Sequence, residues 1–243
     1  MTIPARTIRG ATVLVTGANR GLGAALVTAA LERGAARVHA AMRDPRPHPD
    51  PRVRVVRLDL RDRDQVRDLP TGVERLDLLV NNAGIMVADD LDDPEVLERH
   101  LAVNLFGPLA VTAALLPRLE ASGGSLVNVL SLASLSAVPT IPAYSISKAA
   151  ALALTQAQRT LLAPRGVRVH AVLAGPVDTE MVRDLPLEKA VPADVARAVF
   201  DGVEAGQDDI FPDPMSAPLA AGWSAGAAKT LERANAALLA AGV

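Results

Sequence analysis

The chain has no cysteine among its 243 residues. That excludes a disulfide framework and any thiolate metal site, and it leaves cytoplasm as the expected location by default. Aromatic residues are nearly as scarce, with Tyr144 the only tyrosine. No charge of one sign dominates either. The formal net charge is -2, which gives no reason to expect the basic surface that nucleic acid or an anionic membrane requires. The start of the chain carries Arg6 and Arg9 without a following apolar stretch of signal-peptide length. No apolar run of membrane-spanning length is read anywhere. The histidines, His39, His48, His100 and His170, are dispersed without the close spacing of metal ligands, so no metal is expected and structural roles are. A soluble protein with a small-molecule partner, and with no nucleic acid or membrane partner, is the expectation.

What the chain does contain is apolar periodicity. Half of its residues are hydrophobic, no composition break divides it, and one domain spanning 1–243 is expected, with 213–243 as a C-terminal tail and helix. Strand-like runs fall at 11–16, 37–42, 53–58, 76–80, 125–130, 167–173 and 209–211. Near-continuous apolar strands of this kind suit a parallel sheet covered on both faces. Helical patterns fill the gaps at 22–33, at 94–120 with an interruption around 104–108, and at 143–162, 192–204 and 227–239. The fold class expected is α/β, a doubly wound parallel sheet of about seven strands with helices on both faces. Between the second and third strands stand Pro45, Pro47, Pro49 and Pro51. Alternating prolines cannot form a helix, so this crossover is expected to be a stiff extended loop that leaves the sheet edge poorly covered.

Thr16-Gly17-Ala18-Asn19-Arg20-Gly21-Leu22-Gly23 sits where the first strand meets the first helix. Glycines there permit positive φ and close backbone approach, and a helix N-terminus presents N–H groups to a dinucleotide pyrophosphate. Taken alone, such a turn is weak evidence, since a tight strand-to-helix connection can carry it with no ligand. Tyr144 and Lys148 are four apart in a segment that begins after Pro142, so on a helix they share one face and reach one ligand. A nearby ammonium favours the phenolate, and Lys148 is expected to lower the Tyr144 pKa. Ser131 follows the strand at 125–130, at a carboxyl end where open parallel sheets bind ligands. Ser134, Ser136, Ser145 and Ser147 compete with it for a hydroxyl role.

Taken together and in order, these segments resemble the classical short-chain dehydrogenase/reductase (SDR) family, whose fold is Rossmann-like. The family's Thr-Gly-x-x-x-Gly-x-Gly turn stands at Thr16 to Gly23, its Asn-Asn-Ala-Gly strand end at Asn81-Asn82-Ala83-Gly84, and its helix asparagine at Asn104. Its catalytic serine corresponds to Ser131, selected by the family interval to the tyrosine. Its Tyr-x-x-x-Lys is Tyr144-Ser145-Ile146-Ser147-Lys148. The resemblance covers residues 11–179 and implies hydride transfer between nicotinamide and a carbonyl or alcohol. In that scheme Ser131 hydrogen-bonds the carbonyl, Tyr144 donates the proton, Lys148 also holds the nicotinamide ribose, and Asn104 supports a relay water.

The resemblance extends to the cofactor. Gly17, Asn19, Gly21, Leu22, Gly23, Asn82, Ala83 and Gly84 would line it. Asp59 matches the position that contacts adenine, with Leu60 beside it. Ala174-Gly175-Pro176-Val177-Asp178-Thr179 resembles the Pro-Gly-x-Val-x-Thr segment at the carboxamide end, so Gly175, Val177 and Thr179 join the set, with Ala174 in place of the usual proline. Arg20 in the turn and Arg43 after the second strand argue for a 2′-phosphate, hence NADP(H) in preference to NAD(H), with Asp44 the countervailing residue. Met86, Leu132, Val138, Ile141 and Met181 are expected to line an apolar substrate pocket for a ketone, aldehyde or alcohol. The segment 180–191 reads as a short lid over an open site. The resemblance also implies a homodimer or homotetramer built on the long helices containing Asn104 and Tyr144. Two other classes compete: a silent NADP(H)-binding sensor or scaffold, and a lyase or epimerase. The intact Ser131, Tyr144 and Lys148 weigh against the first, and the compact length weighs against the second.

Overall fold

A computed structural model describes residues 7–184 and 186–240; Arg6 at the start and Leu185 of the expected lid lie outside them. The strands are β1 (Thr12–Thr16), β2 (Arg37–Met42), β3 (Val53–Arg57), β4 (Leu78–Asn81), β5 (Ser125–Val129), β6 (Arg168–Val172) and β7 (Asp209–Ile210). They form one parallel sheet in the order β3-β2-β1-β4-β5-β6-β7. The order reverses between β1 and β4, and the crevice at their carboxyl ends is where an open α/β sheet takes a ligand.

Both faces are covered because the strand residues alternate. Val13 and Val15 of β1 point to one side, with Val38, Val80, Val127 and Val172, and meet Leu26, Val27 and Ala30 of α1 (Gly21–Glu32) and Val199 and Phe200 of α6 (Pro192–Glu204). Leu14 points to the other side, with Leu79, Leu126 and Val169, and meets Val111, Leu115 and Leu119 of α4 (Gly107–Ser122) and Leu162 of α5 (Pro142–Leu162). Each such buried side chain stabilises the fold by about 1.5–3 kcal/mol relative to exposure.

The interruption expected within the long third helical stretch is a π turn at Ala102–Phe106, joining α3 (Pro94–Leu101) to α4. The extra residue in the turn carries Asn104 into the interior, and such π turns recur at functional sites. The whole stretch Pro94–Ser122 is long and apolar enough to cross a membrane, which corrects the expectation that no such run exists. Its Val111, Leu115 and Leu119 face is buried against the sheet, as in the core helix of a globular fold. Two helices escaped the sequence reading, α7 (Ala220–Ala225) in the tail and α2 (Arg63–Asp68), whose one apolar residue, Val66, is buried. The Asp62 side chain caps it by accepting from the Asp64 and Gln65 amides, the usual device for orphan N–H groups.

Between β2 and β3 the proline-bearing segment forms no helix, and β3, at the end of the strand order, is an edge strand with Arg54 and Arg57 exposed. At the other edge the tail forms α7 (Ala220–Ala225) and α8 (Ala227–Ala240). A nearly buried ion network fastens it. Asp209 of β7 meets Arg159 at 2.8 Å and Lys229 at 2.6 Å, and Glu232 meets Lys229 at 2.8 Å and Arg159. Trp223 adds an indole N–H to Asp209 at 2.8 Å.

Candidate active site

The β1–α1 turn is shaped by close backbone approach. Gly17 has φ +67, and a Cβ built there would lie 2.8 Å from the Ala83 Cα. Gly21 has φ +54, and a Cβ there would lie 2.9 Å from the Thr179 Cγ2. At Gly23 the space is filled by the Gly17 carbonyl oxygen, 2.1 Å from a built Cβ. Only glycine meets these demands together. Thr16 and Asn82 lace the turn to the end of β4. The Thr16 hydroxyl accepts the Asn82 and Ala83 amides at 3.0 and 3.1 Å, and the Asn82 side chain donates to the Thr16 carbonyl at 2.9 Å. The N-cap of α1, Arg20, makes no side-chain cap and the first turn holds no acidic residue. The first N–H groups of α1 therefore keep their partial positive charge available to an anion.

Arg20 itself reaches away from the turn and pairs with Glu180 at the base of the 180–191 segment. Both side chains are exposed. Arg43 lies on the surface with Asp44 as its partner at 3.4 Å. Asp59 accepts from the Arg61 backbone at 3.0 Å and from its guanidinium at 3.1 Å. Arg61, with Arg43 adding at longer range, holds the Asp59 carboxyl below the usual aspartate range. Leu60 packs on Gly107, where a Cβ would lie 2.8 Å from the Leu60 Cβ. That contact carries β3's end onto the start of α4.

Ser131, Tyr144, Lys148 and Asn104 converge at the carboxyl ends of β4 and β5. Ser131 begins a short helical turn at Leu132–Ser134, where its hydroxyl accepts the Ala133 amide at 3.1 Å, and it hydrogen-bonds the Tyr144 phenol. The competing serines are otherwise engaged. Ser134 accepts the Ser131 amide at 3.3 Å, Ser145 donates to the Ile141 carbonyl at 3.1 Å, and Ser147 donates to the Tyr144 carbonyl at 2.7 Å; Ser136 is exposed. Asn104 spans the loop after β4 and α5. Its amide donates to the Ile85 carbonyl and the Ser147 hydroxyl at 2.9 Å each, and its oxygen accepts the Ile85 amide at 2.9 Å. His100, fully buried, stands edge-on to the Tyr144 ring at 6.3 Å and accepts the Val87 amide at 3.2 Å through Nε2.

The electrostatics depart from the sequence expectation. Burial pushes the Tyr144 phenol above the ordinary tyrosine value, and the Ser131 hydrogen bond offsets only part of that rise. Lys148 is itself desolvated, and its ammonium is directed at a backbone carbonyl. Its ammonium donates to the Val129 carbonyl at 2.8 Å and stands 5.8 Å from the Tyr144 ring centroid. Burial brings Lys148 down from 10.5 to about 8.

Of the expected pocket residues, Met86 and Ile141 pack with Tyr144 and Ala133. Leu132 is half-buried, whereas Val138 and Met181 are exposed. Val177 is buried and pairs with Ala190 as an isolated parallel bridge, which closes the base of the 180–191 segment. Gly175 lies beside a residue that no motif pointed to, Asp213, whose carboxylate accepts the Gly175 amide at 2.8 Å.

Comparisons with known proteins agree with this arrangement. The family model for short chain dehydrogenase matches residues 11–190. A short chain dehydrogenase of Monascus purpureus is 34% identical over 201 residues, 73% of this chain and 68% of that protein. An uncharacterized oxidoreductase of Staphylococcus aureus is 32% identical over 203 residues, 77% of this chain and 88% of that protein. Among solved structures, a short chain dehydrogenase from Burkholderia cenocepacia in complex with NADP superposes with a TM-score of 0.84 at 40% identity, covering 90% of this chain and 95% of that one. With the glycine turn, the Asn-Asn-Ala-Gly strand end and the Ser-Tyr-Lys cluster all standing at the switch point of a seven-stranded parallel sheet, the chain belongs to the short-chain dehydrogenase family of oxidoreductases.

Proposed function

We propose that this chain transfers a hydride between NADP(H) and an apolar ketone, aldehyde or the corresponding alcohol, with Tyr144 as general acid and base. The observation that carries the reading is the Ser131–Tyr144 hydroxyl pair, backed by a buried Lys148, at the mouth of a glycine turn whose helix is left uncapped. The fit to a dinucleotide rests on that turn: side chains are excluded at Gly17, Gly21 and Gly23, and the uncapped N–H groups of α1 suit a pyrophosphate. Arg20 and Arg43 suit a 2′-phosphate, Arg20 by exchanging Glu180 for it. The NADP bound to the Burkholderia relative supports the same choice. Asn82, Ala83 and Gly84 would line the cofactor's middle, with Gly175, Val177 and Thr179 at its carboxamide end.

When bound, the nicotinamide supplies the hydride to the carbonyl carbon or takes it from the alcohol. The chain's own residues handle the oxygen and the proton. Ser131 donates to the carbonyl oxygen and fixes its direction. Tyr144, held protonated by burial, gives its proton to that oxygen as negative charge develops. Lys148 and Asn104 stand behind the phenol, where they reload it through solvent. Met86 and Ile141 supply the apolar wall.

A second copy of the chain fits the outer face of α4 and α5. Phe106, Leu109, Ile146 and Leu161 expose apolar side chains there, and such a face on two long helices suits a self-complementary interface. Sedimentation of the native protein beside a Phe106→Lys variant tests this, with a shift toward monomer expected in the variant.

The deciding experiment is NADPH and NADH oxidation against a panel of aldehydes, ketones and diketones, with Tyr144→Phe run in parallel. Tyr144-dependent NADPH oxidation supports the reading. Tight NADPH binding with no turnover across the panel favours the sensor or scaffold alternative.

A further inference from the structure

The segment following β7 lies beyond the residues matched by the family model. Within it Asp213 is 5% exposed, and among the described residues no cation pairs with it. Its charge is met by four donors instead. Oδ1 accepts the Met215 and Ser216 amides at 3.1 and 3.0 Å, and Oδ2 accepts the Ser216 hydroxyl at 2.7 Å. These three close a local turn around the fully buried Ser216. The fourth donor is distant in sequence: the Gly175 amide reaches Oδ2 at 2.8 Å. Hydrogen bonds to a charged acceptor of this kind are about twice as strong as neutral ones.

Gly175 is pressed against that carboxylate. A Cβ built there would lie 2.7 Å from Asp213 Oδ1 and 3.2 Å from the Met215 Cβ, so only glycine lets the backbone come this close. The residue before it, Ala174, accepts the Leu132 amide at 2.9 Å, next to Ser131. The chain after it runs through Val177 to Thr179, which touches Gly21 of the phosphate turn. Asp213 therefore grips the one loop that connects the serine's turn to the glycine turn. Its own position is set by the Leu173 amide bonding to the Ile210 carbonyl at 2.8 Å and by the Arg159, Lys229 and Trp223 contacts to Asp209.

We propose that Asp213 is a positioning residue for the cofactor's nicotinamide end, acting through the Gly175 amide to fix the backbone loop that receives the carboxamide. The inference rests on the oxidoreductase reading above. It gives the tail after β7 a part in cofactor binding that lies outside the family's matched segment.

The test is Asp213→Asn. Asparagine keeps the size and one oxygen, which the Met215 and Ser216 amides still reach, and the Ser216 hydroxyl can turn to accept. Its NH2 group, however, faces the Gly175 N–H donor against donor. NADPH affinity is expected to fall about tenfold, roughly 1.4 kcal/mol, while 2′,5′-ADP, which lacks the nicotinamide half, binds as to the native protein. Gly175→Ala, which drives a methyl at the same carboxylate, is the second variant and should give the same split between the two ligands. Equal NADPH affinity in native and variant proteins overturns the proposal, and so does an equal loss for NADPH and 2′,5′-ADP, the mark of a general structural role. Failure of the native chain to bind NADPH at all is a different result, and overturns the parent reading with it.

Discussion

The ammonium of Lys148 donates to the Val129 carbonyl at 2.8 Å while standing 5.8 Å from the centre of the Tyr144 ring. The lysine is thus held by β5 while sharing a helix face with the phenol. Burial lowers its pKa to about 8, so its charge is present below that value and is lost as pH rises through it. NADPH affinity should accordingly weaken from pH 7 to pH 9, with a slope of at most about tenfold per pH unit. Lys148→Met should bind NADPH more weakly at pH 7 and show no such slope; a titration series with parallel native and variant profiles would contradict the assignment.

In the proposed reaction Tyr144→Phe removes the hydroxyl assigned to give the substrate oxygen its proton. Turnover should fall about a thousandfold, with NADPH affinity nearly unchanged because the ring still fills its place against Ile141 and Met86. Steady-state rates and a binding titration on one preparation separate the two effects.

Arg43 is exposed and pairs with Asp44 at 3.4 Å, a weak partner that a phosphate would displace. Arg43→Ala should cost NADPH about tenfold or more in affinity and leave NADH almost unaffected. Equal losses for the two cofactors would remove the basis for preferring NADP(H).

His39 and His170 are buried, and among the described residues the His39 Nδ1 and the His170 Nε2 have no hydrogen-bond partner. Burial, with Arg37 and Arg54 adding for His39, pushes each pKa from 6.5 down to about 4. The unfolded chain therefore binds more protons between those values, and the stability held above about pH 6.5 is lost as pH falls toward 4. Urea midpoints measured from pH 7.5 to 4.5 should fall, and His170→Gln should flatten part of that fall.

Gly17 and Gly10 share a positive φ, +67 and +74, but a Cβ at Gly17 meets the Ala83 backbone at 2.8 Å whereas one at Gly10 meets nothing within 4 Å. Gly10→Ala should cost about 1–2 kcal/mol from backbone strain alone. Gly17→Ala should cost more, about 3 kcal/mol or above, since the backbone of two elements must part. Urea denaturation of the two variants gives the comparison directly.

The strands and long helices were legible because an apolar run buried on two faces has no other reading, and the glycine turn and the Tyr-Lys spacing sit at positions where strand and helix must meet. β4 begins at Leu78 although its apolar run starts at Leu76. Asp77 intervenes, with its carboxylate accepting the Thr12 amide at 2.9 Å, a tertiary contact that propensity does not foresee. α2 was hidden by its charge, the Asp62 cap being its only signal. Lys148 was expected to act on Tyr144 from spacing, but spacing says nothing of the Val129 carbonyl that claims its proton. Asp213 left no trace at all, since its partner stands 38 residues earlier and only the parallel pairing of β6 and β7 brings the two together.

β3 is the outermost strand on its side of the sheet, beside the crossover that its prolines keep from being a helix, and an open edge offers its unpaired amides and carbonyls to any foreign strand. Arg54 and Arg57 project from β3 into solvent, and Arg52 stands just ahead of it, tied to Asp50. Repulsion between like-charged edges disfavours the sheet-to-sheet stacking that turns an exposed strand into a seed for aggregation. Charge thereby guards the bare edge of this sheet.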